Sequence, residues 1–312
     1  MINRRHIRTK VMQSVYALQQ ANSDNLDKEE KFLIHSIDKM YDLYVLLLSL
    51  LVEVQDKAFN HLEIAKKKHL ASIEEKKPNT KFIDNQLIKL IKESVSVNQF
   101  IEDKKLENWQ LDGEFVTVIW NLIRESDQYE SYMSTRETSF TEDKKFIIEI
   151  FKKIIAPNEK LADYFEDQHI SWVDDIPYVN TWIVRSLGET KSSKPFILGD
   201  LYKDIDDRKF VLELFRKMIL NQEKYDEVIN DKTPNWDSDR IADVDLILIK
   251  MAISEFLHFP TIPTRVTINE YIEIAKDYSS HKSSFFVNGV LDKILKEYTS
   301  EKRIQKIGRG LL

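Results

Sequence analysis

The pattern of hydrophobic and polar positions is clearest between residues 263 and 296, where it predicts two amphipathic helices joined by a short polar loop. Apolar residues recur there every three or four positions, the spacing of one face of an α-helix. Thr267 precedes Glu270 by three residues, which predicts a capping box, and Ser283 and Ser284 stand where the second helix needs an N-cap. The two apolar faces comprise Ile268, Tyr271, Ile272, Ala275 and Tyr278, and then Phe286, Val287, Val290, Leu291, Ile294 and Leu295.

Helical periodicity extends over most of the remaining chain. Residues 3–21 form one pattern and, after a polar break, residues 28–65 form a much longer one. Further apolar faces predict helices within residues 82–106 and around residues 109–123. The chain contains 6 Gly and 7 Pro among 312 residues, far below their usual shares of about 7% and 5%. So few helix breakers favour an all-α fold of long helices.

An internal repeat is visible at an offset of 64 residues. Residues 143–155 align without gaps with residues 207–219, and the same offset takes Trp172 to Trp236. The pattern predicts a duplicated unit of a helix, a short helix, a Trp-bearing turn and a further helix. Two copies are too few for a solenoid, so the repeat indicates an enlargement of the fold.

Three parts of the chain carry motifs that point to one family. The first is Arg-Arg-His-Ile-Arg at residues 4–8, followed by Gln13 and Tyr16. The second is the segment at residues 246–256, Leu-Ile-Leu-Ile-Lys-Met-Ala-Ile-Ser-Glu-Phe, and the third comprises residues 262–263, 268–270, 273–276 and 286–293. Together they resemble the NusB-type transcription antitermination family, in which a helix like the second part leads into a C-terminal signature like the third.

The resemblance covers roughly the first 20 residues and the last 110. It implies an all-α, NusB-like helical bundle enlarged by inserted helices and containing the internal repeat. We therefore expect four segments. They are an N-terminal RNA-binding helix at residues 1–22, a helical extension at 23–205, a C-terminal NusB-like domain at 206–300 and a basic tail at 301–312.

Charge is distributed unevenly along a chain whose net charge is −6. Residues 1–10 hold four cations and no acid, and residues 301–312 hold Lys302, Arg303, Lys306 and Arg309 against one glutamate. A small basic footprint on an acidic body fits recognition of a short single-stranded RNA, although charged termini can also simply aid solubility. Cations in a first helical turn oppose the helix dipole, so they require a bound phosphate or a neighbouring acid.

Several kinds of chemistry lack their usual motifs. The chain has no cysteine, which excludes disulfides and thiol chemistry and favours a reducing compartment. It has no glycine-rich phosphate loop, and its seven histidines show no metal-ligand spacing. The paired acids at 174–175 and 206–207 precede apolar runs, where helix N-termini favour acids. We expect a cytoplasmic binding protein with no membrane segment, no cofactor, no metal and no enzymatic activity.

The resemblance implies a non-catalytic adaptor for transcription antitermination. It would pair with the ribosomal protein NusE, bind boxA RNA and join other Nus factors on RNA polymerase to suppress termination during rRNA synthesis. The positions it assigns to protein-partner contact are Tyr16, Asp239 and Asp245. The positions it assigns to RNA are Arg4, Arg5, Arg8, Lys250, Lys282, Ser283, Ser284 and Phe286.

Two positions depart from the family pattern. Phe285 stands where many members have Lys or Arg, and His6 replaces what is often another Arg. Both changes lower the basic charge of the site, so we expect modest RNA affinity without the protein partner. One alternative is a helical protein–protein scaffold without RNA binding. Another is an rRNA methyltransferase subunit, against which the lack of a nucleotide-binding sheet argues.

Overall fold

The computed structural model describes residues 2–21, 25–67, 77–233 and 241–311, and these residues form α-helices without a β-sheet. The predicted all-α fold class is therefore confirmed. None of the helices in these ranges has an apolar stretch long enough to cross a bilayer. In chain order the helices are α1 (Arg4–Gln20), α2 (Leu26–Lys66), α3 (Gln86–Lys92), α4 (Val95–Lys104), α5 (Asn108–Leu111), α6 (Gly113–Arg124), α7 (Asp127–Met133), α8 (Phe140–Ile150), α9 (Glu159–Gln168), α10 (Ile176–Glu189), α11 (Ile205–Leu220), α12 (Gln222–Lys232), α13 (Asp243–His258), α14 (Thr264–Tyr278) and α15 (Ser283–Ser300).

The helices belong to two compact units. The first unit consists of residues 1–37 and 201–312, and the second consists of residues 38–200. The division predicted from the sequence, with an extension at 23–205, was based on which residues resemble the family and not on how the helices pack. It therefore stays a prediction.

Helix α13 lies at the centre of the first unit. Helices α1, α11, α12, α14 and α15 all pack against it. A helix that is apolar on nearly every side is stable when other elements surround it, so the composition of α13 requires this arrangement. Its buried apolar side chains are Ile247, Leu248, Ile249, Met251, Ala252, Ile253 and Phe256.

The second unit is rich in aromatic contacts. Helix α8 continues into a π-helical turn at Phe151–Ile155, and a 3₁₀ turn at Ile170–Trp172 separates α9 from α10. Aromatic rings bury a large apolar area and prefer offset or edge-on contacts. Among the described residues of this unit, three pairs of rings are stacked: Phe82 with Trp120 at 5.5 Å between ring centroids, Tyr132 with Phe146 at 4.0 Å, and Tyr44 with Trp182 at 4.1 Å.

A buried carboxylate organises the start of α8 in the second unit. Asp143 is fully buried and accepts hydrogen bonds from the Gln86 backbone N–H at 2.8 Å and from the Tyr132 hydroxyl at 2.5 Å. The Thr138 hydroxyl also hydrogen-bonds to it. Since a buried charge is costly unless it is hydrogen-bonded, these donors explain how an acid is accommodated there.

The internal repeat is present in the helices. The first copy contains α8 with its π-helical turn, α9, the Trp172 turn and α10, and the second contains α11, α12 and α13. Trp236, the predicted counterpart of Trp172, lies outside the described residues. Equivalent first-turn acids, Asp143 and Asp207, are both buried.

The helix starts that the sequence predicted at α14 and α15 differ from those in the structure. Helix α14 begins at Thr264, and Thr267 lies one turn inside it and donates its hydroxyl to Glu255 at 3.1 Å. The predicted capping box is therefore wrong, because the hydroxyl serves a buried acid on α13. At α15 the residue in the N-cap position is Lys282, and no side chain caps the helix. At α8, Ser139 caps the helix, since its hydroxyl accepts the Glu142 N–H at 3.2 Å.

Candidate nucleic-acid interface

The first turn of α1 presents the three predicted arginines. Asn3 caps the helix by accepting the His6 N–H at 2.8 Å. The sequence left open whether a phosphate or a neighbouring acid offsets the unfavourable helix dipole. The structure supplies acids from three other helices. Arg4 Nε lies 2.9 Å from Asp207 Oδ1, Arg5 donates two hydrogen bonds of 2.9 Å to Glu270, and Arg8 donates two to Glu255 at 2.6 and 2.9 Å.

The Arg8–Glu255 pair is buried, with side-chain exposures of 2% and 0%. Tyr271 donates its hydroxyl to Glu255 Oε1 at 2.7 Å, and Thr267 donates to Oε2 at 3.1 Å. Burial acts to lower the pKa of Arg8, but the Glu255 carboxylate outweighs burial and raises that pKa above its ordinary value. Burial, reinforced by the same carboxylate, also raises the pKa of Tyr271 well above 10. This satisfied network fixes α1 against α13 and α14.

Arg4 and Arg5 remain accessible. Their side chains are 38% and 47% exposed. The Arg4 guanidinium also lies 5.1 Å from the centre of the Phe210 ring, within the range of a cation–π contact. The hydrogen bond with Glu270 raises the pKa of Arg5, and the same bond lowers the pKa of Glu270 despite partial burial. Both arginines are therefore held at the surface by neighbouring acids.

These arginines line a groove of about 500 Å³ in the first unit. Cations from α1 form one side of the groove. The loop before α14 and the first turns of that helix form the other side, which is largely apolar. The lining residues are Asn3, Arg4, Arg5, Arg8, Thr261, Ile262, Pro263, Val266, Glu270 and Arg309.

The serine-rich bend before α15 does not contribute to the lining of this groove. Lys282 is exposed and Phe286 is half-buried, whereas Ser283 and Ser284 are buried. The Ser283 hydroxyl lies 2.8 Å from that of Ser280, so it takes part in a local hydroxyl cluster. The structure thus brings the N-terminal arginines together and leaves the bend as a separate feature of the same unit.

The remaining predicted residues lie at other places in the first unit. Lys250 is buried in α13 and forms an ion pair with Asp226 at 2.7 Å. Tyr16 is 40% exposed on α1, as a docking residue requires. Asp245 is buried, and the described residues supply no hydrogen-bond partner for its Oδ1. Asp239 lies outside the described residues.

Sequence reasoning missed two parts of the groove. The acids that pair with the arginines, among them Glu255 and Glu270, lie more than 200 positions away, and nothing in their local pattern indicates the pairing. Arg309 carried a signal, since it belongs to the basic tail, but the sequence could not show that the tail returns to α1. Within the described ranges, no three His, Asp or Glu side chains are grouped as metal ligands.

Comparison with known proteins identifies the first unit. The NusB family model matches residues 187–296. Proteins named transcription antitermination protein NusB from Salinibacter ruber, Chloroherpeton thalassium and Natranaerobius thermophilus are 43%, 40% and 49% identical over 112, 129 and 74 residues. These matches cover 36%, 41% and 24% of this chain.

The same matches cover 70%, 61% and 53% of the relatives, so for two of the three the chain spans less than two thirds of the relative's length. No solved structure matches the chain. Three observations point to the same family. They are the all-α first unit, its signature helices and the 43% identity over most of the Salinibacter protein. The chain belongs to the NusB family of transcription antitermination proteins.

Proposed function

We propose that this chain is a non-catalytic, RNA-binding antitermination factor. It binds boxA RNA together with the ribosomal protein NusE and acts with other Nus factors on RNA polymerase to suppress termination in rRNA transcription. Membership of the NusB family supports the antitermination role. The observation that carries the RNA role is the groove, where two accessible arginines face an apolar side.

The groove is suited to the two chemical halves of a nucleotide. Arg4 and Arg5 offer guanidinium groups to phosphates, which arginine binds through paired hydrogen bonds. Pro263, which is partly exposed, and Val266, which is 43% exposed, offer apolar surface to a base. A partly exposed ion pair such as Arg5–Glu270 contributes only about 0–1 kcal/mol. A phosphate can therefore replace the glutamate at little cost.

The distribution of charge favours the first unit as the RNA-binding part. Residues 38–200 contain 22 Lys and Arg against 29 Asp and Glu, a net charge of −7. The remaining residues contain 24 against 23, a net charge of +1. Because the field of an acidic body repels a polyanion, the second unit is not expected to hold RNA.

The other predicted residues take different parts in this proposal. Arg8 has an indirect, positioning role, because its buried pair with Glu255 holds α1 in place. Lys282 is an exposed cation on the separate bend before α15, and half-buried Phe286 offers part of a ring for stacking. The remaining residues of the proposed RNA site are Lys250, Ser283 and Ser284, and those of the proposed NusE site are Tyr16, Asp239 and Asp245.

The test is a titration of fluorescently labelled boxA RNA with the full chain, with and without purified NusE. We expect saturable binding that tightens when NusE is present. The Arg4→Ala, Arg5→Ala double variant should weaken binding, and because it removes two phosphate contacts, the slope of log K against log salt should fall by about 1.4. The thermal midpoint should change little, since both arginine side chains are partly exposed.

A matched control removes two exposed arginines from the second unit. Arg124 and Arg185 pair with Glu125 and Glu189 at the surface, so their double alanine variant changes the net charge equally. Unchanged RNA affinity in this control assigns the loss to the groove. If the groove variant binds boxA RNA with NusE as tightly as the wild type does, the proposed site is wrong.

The alternative function is that of a protein scaffold without RNA binding. It is favoured by large apolar side chains exposed on the second unit, where Val95, Leu111 and Ile170 are 77%, 76% and 72% exposed. The same titration separates the two functions. A scaffold would bind NusE or another protein but give no saturable RNA signal in either condition.

A further inference from the structure

The C-terminal tail is held against the end of α13. The Ile307 N–H donates to the Pro260 carbonyl at 3.0 Å. The Lys306 ammonium donates to two backbone carbonyls, those of Glu255 at 3.1 Å and Phe259 at 2.9 Å. Three hydrogen bonds therefore fix the tail at the base of the loop that lines the groove.

Two glycines let the tail turn at this point. Gly308 has φ +53, in the left-handed region that glycine adopts without strain. Gly310 is buried, and a Cβ atom added to it would lie 1.9 Å from the Pro260 carbonyl oxygen. A residue with a side chain could not approach the loop so closely. The 3₁₀ turn at Gly308–Leu311 thus places Arg309, between the two glycines, in the lining of the groove.

Arg309 differs from the other cations of the groove in its partners. Asp207 pairs with Arg4, Glu255 pairs with Arg8, and Glu270 pairs with Arg5 and also lies 3.7 Å from Arg8. Arg309 is exposed, and among the residues that the structure describes no acid forms an ion pair with it. An incoming phosphate must displace a carboxylate at Arg4 or Arg5, whereas at Arg309 it displaces water.

We infer that Arg309 is a phosphate-binding residue of the RNA groove and that the tail completes the site. This inference rests on the proposed function and adds a residue to it, since Arg309 lies beyond the matched family segment at 187–296. The ligand is the phosphodiester backbone of single-stranded RNA. A phosphate contact carries no sequence information, so Arg309 contributes affinity rather than specificity.

The experiment compares boxA RNA with a scrambled RNA of equal length, titrated against the full chain with NusE over a range of salt concentrations. Arg309→Ala should weaken both complexes by about tenfold and lower the salt slope by about 0.7. Arg309→Lys should keep most of the slope, because the charge remains. Lys302→Ala is the matched control, as it removes one exposed charge from the same tail outside the groove lining.

A second variant moves the tail without changing its charge. Gly310→Ala should weaken RNA binding as Arg309→Ala does, because the tail must leave Pro260. If Arg309→Ala binds RNA as tightly as the wild type does, while the Arg4, Arg5 double variant binds more weakly, this inference is wrong. The proposed function would then still stand. Equal losses in Arg309→Ala and Lys302→Ala would also overturn it, since they show a general charge effect. A wild-type chain that binds neither RNA refutes both proposals.

Discussion

The buried pair between Arg8 and Glu255 leads to a strong prediction about stability. Removing one member of a buried, hydrogen-bonded ion pair leaves an unpaired charge and typically costs about 3–5 kcal/mol. Arg8→Ala leaves Glu255 at 0% exposure with two hydroxyl donors, from Tyr271 and Thr267, and removes the cation that hydrogen-bonds to its carboxylate. Arg5→Ala removes a partly exposed pair, which costs about 0–1 kcal/mol.

The assay is equilibrium unfolding in urea followed by circular dichroism. With an m-value of about 2 kcal/mol per molar, Arg8→Ala should lower the midpoint of the transition that includes the first unit by about 1.5–2.5 M. Arg5→Ala, three positions from Arg8 along α1 and in the same groove, should lower that midpoint by less than about 0.5 M. Both variants remove one positive charge from α1, so a difference between their midpoints reports the burial of the pair and not the loss of charge.

A double replacement tests the reason for the cost. Arg8→Met with Glu255→Met removes both charges, and it should be less destabilising than Arg8→Met alone, because no buried charge is left unpaired. Equal midpoints for Arg8→Ala and Arg5→Ala would refute the reasoning. They would show that Glu255 is satisfied without Arg8, and the buried network would then not be what holds α1 in position.

Two further predictions concern a lysine and an acid. Burial lowers the pKa of Lys306 from 10.5 to about 8, so between these values the folded chain binds fewer protons than the unfolded chain. The free energy of unfolding of the wild type should therefore rise relative to Lys306→Met as the pH increases from about 8 to 10, and a flat difference in urea unfolding would contradict this. Asp143→Ala removes the acceptor of a buried network, so it should destabilise the second unit by about 3 kcal/mol. RNA affinity should be unchanged, and an RNA-binding defect would show that the second unit takes part in the interface.

The repeated helices show how one local pattern can serve two environments. At the start of α8, Asp143 accepts hydrogen bonds from neutral donors, and Phe146 stacks on Tyr132. At the start of α11, Asp207 accepts from Arg4, and Phe210 lies beneath guanidinium groups. The same acid and aromatic residues are thus used in the second copy to orient cations.

Local features of the fold followed from the sequence. The long apolar pattern at residues 28–65 corresponds to α2 at Leu26–Lys66, and the offset of the repeat corresponds to two series of helices. The signature at residues 262–293 was sufficient to indicate the NusB family. These inferences succeed because helical periodicity and a motif are properties of neighbouring residues. The failed capping box at Thr267 marks the limit, since its hydroxyl is engaged by a distant acid.

The sequence by itself determined the helical class, the NusB signature and the presence of cations at both ends of the chain. The tertiary structure alone decided what each cation does. It paired Arg8 with Glu255 across 247 positions, left Arg5 at the surface and brought Arg309 into the groove on α1. The physical reason is that the electrostatic environment of a side chain depends on burial and on partners contributed by other helices. Residue type and spacing along the chain specify neither.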